Sequence, residues 1–363
     1  MKWTRLATAA LLVAAVPALA QNVPVRISKP APEQTVRGNV PIVINAAAVP
    51  DTGYMIVEIN DKFVAAVAPE AGQSTVKFYW DTKAPLADSE EAPRDGQYTI
   101  RVRTFTPDFR FARSNELNVY LRNHISIPAS KGVNLRYIYR PDDIITLDEK
   151  VSAKSAGMDV YAADVPVTLE VGDVANGVAE AREKIARNAT ESVTGAQQVF
   201  AAAGRSYLVN LHSNGVVTPG PRMKKAGVEP VSSLLTFPST PVRVGDTWSN
   251  FLTITPFYNG VTSAQVSANH KLTGLEYYGG RPAAKIESSM DGDASVTLQG
   301  VSSKIHFKGT RITYFDYVKG RLLHSVDTLS ADFGSGAGNN PVAGAGSGAS
   351  GGALNMTIVT AAK

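Results

Sequence analysis

The chain has 363 residues, 44% of them hydrophobic, with 36 basic against 32 acidic side chains and no cysteine. That length suits two domains of the usual ~100–200 residues each, and the apolar share can fill their cores without disulfides. A formal charge of +4 with no concentrated basic face argues against a nucleic-acid partner, and the lack of cysteine excludes disulfide staples, thiolate metal sites and an acyl-cysteine anchor.

Residues 1–20 read as a secretory signal peptide. Lys2 and Arg5 precede an apolar run from Leu6 to Val16, and Ala18-Leu19-Ala20 is a small-x-small cleavage site. The run is shorter than the ~20 residues that cross a bilayer. The mature chain is expected to begin near Gln21 and to be exported, to the periplasm or beyond it. Removing Lys2 and Arg5 leaves 34 basic against 32 acidic side chains, and the densest basic cluster, Arg222, Lys224 and Lys225, reads as a solvated loop. No later stretch is apolar over a spanning length, so no transmembrane segment is expected.

From Asn22 to Asn123, short runs of alternating apolar and polar residues recur about every 10 residues between turn signals, the pattern of a β-sandwich. In Gln97–Phe105, Tyr98, Ile100 and Val102 share one side and Thr99, Arg101 and Arg103 the other. Asp95-Gly96 reads as the turn before this strand. Tyr98, at its start, is placed to bury its ring and send its hydroxyl to backbone, and Trp80 reads as a core filler rather than a sugar platform. A strand ending in Trp80-Asp81-Thr82, followed by Asp95-Gly96-x-Tyr98, resembles the immunoglobulin-like domains of bacterial surface and secreted proteins. The resemblance covers residues 22–123, implies an immunoglobulin-like sandwich and implies no activity.

Residues 124–133 read as a linker, and 134–363 as a larger antiparallel β domain. Within it, residues 176–192 stay open between a helix, on propensity, and a strand pair turning at Asn176-Gly177. Gly245-Asp246 reads as a turn, after which Trp248 packs inward. A hairpin is expected around Gly279-Gly280, with Val266, Ala268, His270 and Leu272 on one face, and another near Val318–Gly320. The segments Phe237–Ser249, Leu272–Ile286 and Tyr314–Ser325 resemble a group of secreted bacterial β-rich proteins without an assigned activity, which implies an extended antiparallel sheet forming a sandwich or half-barrel. The glycine-rich stretch 334–352 reads as a long loop, and 353–361 as a final strand pairing with a neighbour such as Arg321–Phe333. The fold class is all-β, with one helix at most.

Catalytic templates fail one by one. The five histidines, His124, His212, His270, His306 and His324, are isolated in sequence, and no His-Glu-x-x-His occurs. Asp291 with Asp293, and Asp142, Asp143, Asp148 and Glu149, make oxygen-rich turns without a calcium-loop spacing. Ser74-x-x-Lys77 falls on a strand, where the two side chains oppose. Gly348-x-Ser350-x-Gly352 lacks a following Asp and His. No catalytic, metal or cofactor-binding residue is nominated; Trp80, Asp95, Gly96, Tyr98, Gly245, Asp246 and Trp248 are expected to be structural. The expected role is an exported, non-catalytic binding or scaffolding protein of the cell envelope or extracellular matrix, with a protein or glycan partner. Two alternatives stand beside it: a periplasmic carrier of an apolar ligand such as a lipid, and a hydrolase whose site assembles in space.

Overall fold

A computed structural model describes residues 25–45, 53–70, 72–87, 89–128, 131–193, 195–200, 202–220, 234–254, 264–298, 301–332 and 353–362. Residues 1–20, expected to be a signal peptide, the Arg222–Lys225 cluster and the glycine-rich run 334–352 lie outside them. The chain divides into two compact units, Met1–Leu121 and Arg122–Lys363. All regular structure among the described residues is strand.

The first unit holds eight strands: β1 (Ile27–Lys29), β2 (Thr35–Val36), β3 (Asn39–Asn45), β4 (Tyr54–Ile59), β5 (Lys62–Val67), β6 (Thr75–Asp81), β7 (Gly96–Phe105) and β8 (Phe111–Leu121). They form two sheets in a sandwich-like arrangement, ordered β1-β3-β6 and β2-β8-β7-β4-β5, around one apolar core that includes Ile42, Ile44, Met55, Val57, Ile100 and Val102. The residues that set the family resemblance have separate mechanical roles. Trp80 is 1% exposed, its ring 5.7 Å from that of Tyr98, and removing the indole would cost about 3–5 kcal/mol through the void it leaves. Asp81 Oδ1 accepts from the Lys83 amide (2.9 Å), closing the turn after β6, while the buried Thr82 hydroxyl donates to the Gly38 carbonyl (2.9 Å). Tyr98 donates its hydroxyl to the Arg94 carbonyl at 2.8 Å, the backbone tether expected of it. Asp95 sits in the bend and Gly96 opens β7 in an extended conformation.

The described strands of the second unit form one thirteen-stranded sheet. Its strands are β9 (Ile144–Ser155), β10 (Met158–Ala175), β11 (Val178–Ile185), β12 (Thr190–Val193), β13 (Ala196–Val199), β14 (Ser206–His212), β15 (Val217–Pro219), β16 (Thr247–Ile254), β17 (Ala264–Tyr278), β18 (Arg281–Leu298), β19 (Val301–Asp316), β20 (Arg321–Asp332) and β21 (Ala353–Ala362). The order is β15-β14-β11-β10-β9-β21-β20-β19-β18-β17-β16, with the β12–β13 hairpin paired to β10, and every pairing is antiparallel. The sheet curls into a half-barrel, and alternation, interrupted at bulges such as Leu272/Gly274 and Tyr314/Phe315, gives much of it one buried and one wet face. In β21, Leu354, Met356 and Ile358 are buried, between Asn355, which is exposed, and the half-buried Thr357 and Val359. This strand does pair with β20, and also with β9 on its other side.

The residues balanced between helix and strand, 176–192, form β11 and β12. Asn176 and Gly177 both take positive φ (51° and 76°), the left-handed pair that a tight hairpin turn needs. Beyond them Ala179, Ala181, Glu183 and Ile185 are buried while Glu180 and Arg182 are exposed, a period of two. Pairing on both sides, with β10 and β14, overrides the helical propensity of the alanines and glutamates. Both ends of the 124–133 stretch are tied to the second unit: the Ile125 amide donates to the Leu275 carbonyl (2.7 Å) of β17, and Val133 and Val242 exchange amide-to-carbonyl bonds.

Candidate functional site

Alternation along the long central strands sends polar residues, as well as apolar ones, to the buried face. The register lines them up in two rungs. His270, Ser288, Arg311 and Asp327 are successive cross-strand partners on β17, β18, β19 and β20. Two residues along, Thr313, Ser325, Thr360 and Glu149 continue across β19, β20, β21 and β9. All eight are buried. A polar group so placed destabilises the fold unless it finds partners, and the geometry shows how the four of the first rung do, while the Thr313 hydroxyl has none.

The Asn250 amide nitrogen donates to the Thr236 carbonyl (3.0 Å), which turns its oxygen toward His270 Nε2 at 2.7 Å. His270 therefore carries its proton on Nε2 and accepts from the Ser288 hydroxyl at Nδ1, 2.7 Å away. The Trp248 ring lies 5.3 Å from the imidazole, and its Nε1 donates to the same Thr236 carbonyl. Burial, with help from the charge of Arg311, pulls the His270 pKa down to about 4, so the ring is neutral at physiological pH. Arg311 meets Asp327 through two parallel bonds, Nε to Oδ1 and Nη2 to Oδ2. Burial opposes its charge, but the charge and hydrogen bonds of Asp327 outweigh this and hold it firmly protonated. Glu149 is pushed up to about 8, first by burial and then by the nearby Glu183, with Arg311 pulling the other way, which favours its neutral form at pH 7. Burial likewise raises the Tyr137 and Tyr139 phenols, which stack 5.9 Å apart.

Asn250–His270–Ser288 has the orienter–base–hydroxyl order of a nucleophilic relay, a Ser–His pair that sequence could not reveal. Ser288, however, lies mid-strand in β18, paired with β17 and β19 on both sides. Backbone N–H groups along such a strand are committed to the ladder, and none is left to form an oxyanion hole beside the hydroxyl. The relay satisfies buried groups; it is not an assembled acyl-transfer site.

A second feature lies at one end of the N-terminal unit. Tyr54 and Phe105 stack at 5.2 Å, Phe109 packs edge-on to Tyr54 at 5.8 Å and Phe111 to Phe105 at 6.2 Å. Phe109 is 76% and Phe111 59% exposed. The Arg103 guanidinium lies 6.0 Å from the Phe105 ring centre, and Arg110 pairs with Asp108 at 2.9 Å. The tip is built by Thr106, whose amide donates to the Arg110 carbonyl and whose carbonyl accepts from the Phe109 amide. Phe109 takes φ of 63° there, a left-handed conformation that costs a bulky residue about 1–2 kcal/mol. Strain combined with an exposed ring makes this tip the candidate surface feature of the first unit. The sequence signal was available in Phe105, Phe109 and Phe111, three rings within seven residues flanked by Arg103, Arg110 and Arg113.

Of the residues expected to be structural, Trp80, Asp95, Gly96 and Tyr98 gather at one corner of the first unit. Gly245 (φ 99°) and Asp246 form the turn into β16: the Arg243 amide donates to Asp246 Oδ2 (2.8 Å) and the Gly245 amide to the Leu272 carbonyl (2.8 Å). Only Trp248 borders the buried rungs. The histidines do not converge: His270 is interior, His306 sits on the wet face between Asp291 and Asp293, and His324 stacks on Tyr278. Asp143 accepts from the Arg140 amide (2.9 Å), capping its own turn. Among the described residues no three metal-binding side chains come together. No protein-family model and no curated protein matches this sequence.

Proposed function

We propose that the chain is an exported, non-catalytic binding protein of the cell envelope or extracellular matrix, in which an immunoglobulin-like module takes a protein or glycan partner at its aromatic end. The observation that carries this is the Tyr54–Phe105–Phe109–Phe111 cluster, strained at Phe109 and open to solvent. Aromatic rings give large contact area for little ordering entropy, and an arginine rim adds polar recognition. The failure of each catalytic template, with the ladder-bound Ser288 as the last of them, supports a binding role. Installing a photo-crosslinking residue at position 109 in producing cells tests it. A discrete adduct to an envelope protein or glycan is expected, and it should disappear in Phe111→Ser. No adduct, with surface fractionation unchanged in Phe109→Ser/Phe111→Ser, removes the proposal.

A second reading, a carrier of an apolar ligand such as a lipid, is favoured by the half-barrel, whose inner face joins apolar strands to a polar band. Native mass spectrometry of gently purified protein tests it: a lipid adduct supports the carrier, and a mass matching the bare chain excludes it.

A further inference from the structure

At the end of the half-barrel where β19 turns into β20, Arg140, Arg281, Lys319 and Arg321 line a cavity of about 530 Å³. Its remaining wall is apolar, from Ile138, Ile145, Val318 and Leu322. The volume falls within the roughly 300–1,000 Å³ of small-molecule sites. Arg140, Arg281 and Lys319 are exposed to solvent, whereas Leu322 is buried and Ile138 and Ile145 half-buried. Arg321 is engaged by Asp143 at 2.7 Å. Among the described residues, no carboxylate pairs with the other three cationic side chains. A chain whose acidic and basic residues nearly balance has little reason to gather four cations around one concavity. An adjoining groove of about 450 Å³ carries the opposite sign, with Asp142, Asp143, Glu170 and Glu180 outnumbering Arg182, and its Asp143 is the partner of Arg321.

The cavity is firmly built. The Val318 and Lys319 amides both donate to Asp316 Oδ1 (3.1 and 2.8 Å), and the Gly320 amide donates to the Asp316 carbonyl (2.7 Å). The Gly320 carbonyl in turn accepts from the Ile138 amide (3.1 Å). Gly320 has φ of 64°, and a Cβ there would meet Ile138 N at 2.6 Å and Arg136 O at 2.7 Å. Only glycine lets the turn press this closely on the 136–138 segment. The same contact fixes the backbone that carries Lys319 and Arg321 against the 136–138 segment, two residues before Arg140, and Asp143 holds the Arg321 guanidinium.

We infer that this cavity binds an anionic amphiphile, with a phosphate monoester head held by Arg140, Arg281 and Lys319 and a short apolar portion against Ile138, Ile145 and Val318. Planar guanidinium forks match phosphate oxygens bidentately, and a lone oxyanion would leave the apolar wall unused. The inference rests on the second unit alone and is independent of the aromatic end.

Isothermal titration of the full chain tests it, with dihexanoyl phosphatidate as the probe, inorganic phosphate as the free-anion arm and dihexanoyl phosphatidylcholine as the zwitterionic arm. Phosphatidate should bind at least ten-fold more tightly than either comparator, and more weakly as salt rises. Arg281→Glu and Lys319→Glu should each weaken it ten-fold or more while melting like the parent, since both side chains are exposed. Absence of phosphatidate binding, or equal binding by folded charge-reversal variants, overturns the site. Inorganic phosphate binding as tightly as phosphatidate overturns the amphiphile assignment, and phosphatidylcholine doing so overturns the anionic head.

Discussion

Replacing Glu149 by glutamine should change how stability depends on pH more than it changes stability itself. In the folded chain this carboxyl titrates near 8, against 4.5 for the free group, because burial and Glu183 disfavour its charge. Between those values the folded state holds a proton that the unfolded state has released. Stability therefore falls as pH rises across that window, by about 1.36 kcal/mol per pH unit. From pH 5 to pH 8 the loss from this one group amounts to about 4 kcal/mol. Glutamine keeps the shape and cannot ionise, so the variant should lose that slope and, relative to the parent, gain about 4 kcal/mol over the same range. Urea titrations read by pulsed hydrogen exchange on β9 and β20 peptides would follow the second unit alone. Parallel stability curves for parent and Glu149→Gln between pH 5 and 8 would show that Glu149 is already charged in the folded state, and the account of the buried rungs would then be wrong.

His270 acts with the opposite sign. Its folded pKa of about 4 lies below the free value of 6.5, so the unfolded state takes up the extra proton and about 3 kcal/mol should be lost as pH falls from 6.5 to 4; His270→Gln should abolish that acid-side loss in the same urea series. Arg311→Met strands a buried Asp327 and should cost about 3–5 kcal/mol, whereas Arg311→Met with Asp327→Leu should return to within ~2 kcal/mol of the parent by equilibrium denaturation. Met356→Ala, emptying a buried site on a strand paired on both sides, should cost about 2–5 kcal/mol, while halving the glycine-rich run 334–352 should shift stability by only about 0.6 kcal/mol. Calorimetry of those two variants side by side checks the contrast.

Much of the second unit was legible because its strands are long and one-sided. Val266, Ala268, His270 and Leu272 announce a buried face, Gly279-Gly280 a hairpin, and Leu354, Met356 and Ile358 a closing strand. The Tyr98 tether could likewise be read from its place after Asp95-Gly96. What could not be read is lateral order. Nothing local to Ala353–Ala362 says that it lies between β20 and β9, which is 200 residues away in sequence. The same limit hid the polar rungs: His270 and Ser288 meet only because a bulge and a turn fix the β17–β18 register, and Glu149 joins them only through β21. Tyr54 and Phe105 are separated by two strands and a long loop, so their stacking had no signature. At 176–192, propensity and pairing opposed each other, and pairing decided.

The position of β21 has a consequence for how the unit is made. β9 to β15 and β16 to β20 are each largely a succession of neighbours in sequence, able to pair as they emerge. Among the described strands, the two groups are joined in the hydrogen-bonded ladder through β21. A chain lacking residues 353–362 would thus hold two half-sheets, each ending in a long open edge of unpaired amides and carbonyls, the surface most prone to wrong partners. Interruption of synthesis or a clip between Asp332 and Ala353 should yield an aggregating product rather than a slightly weakened one. The strand Ala353–Ala362 works as a zipper slide, joining two panels along their open edges.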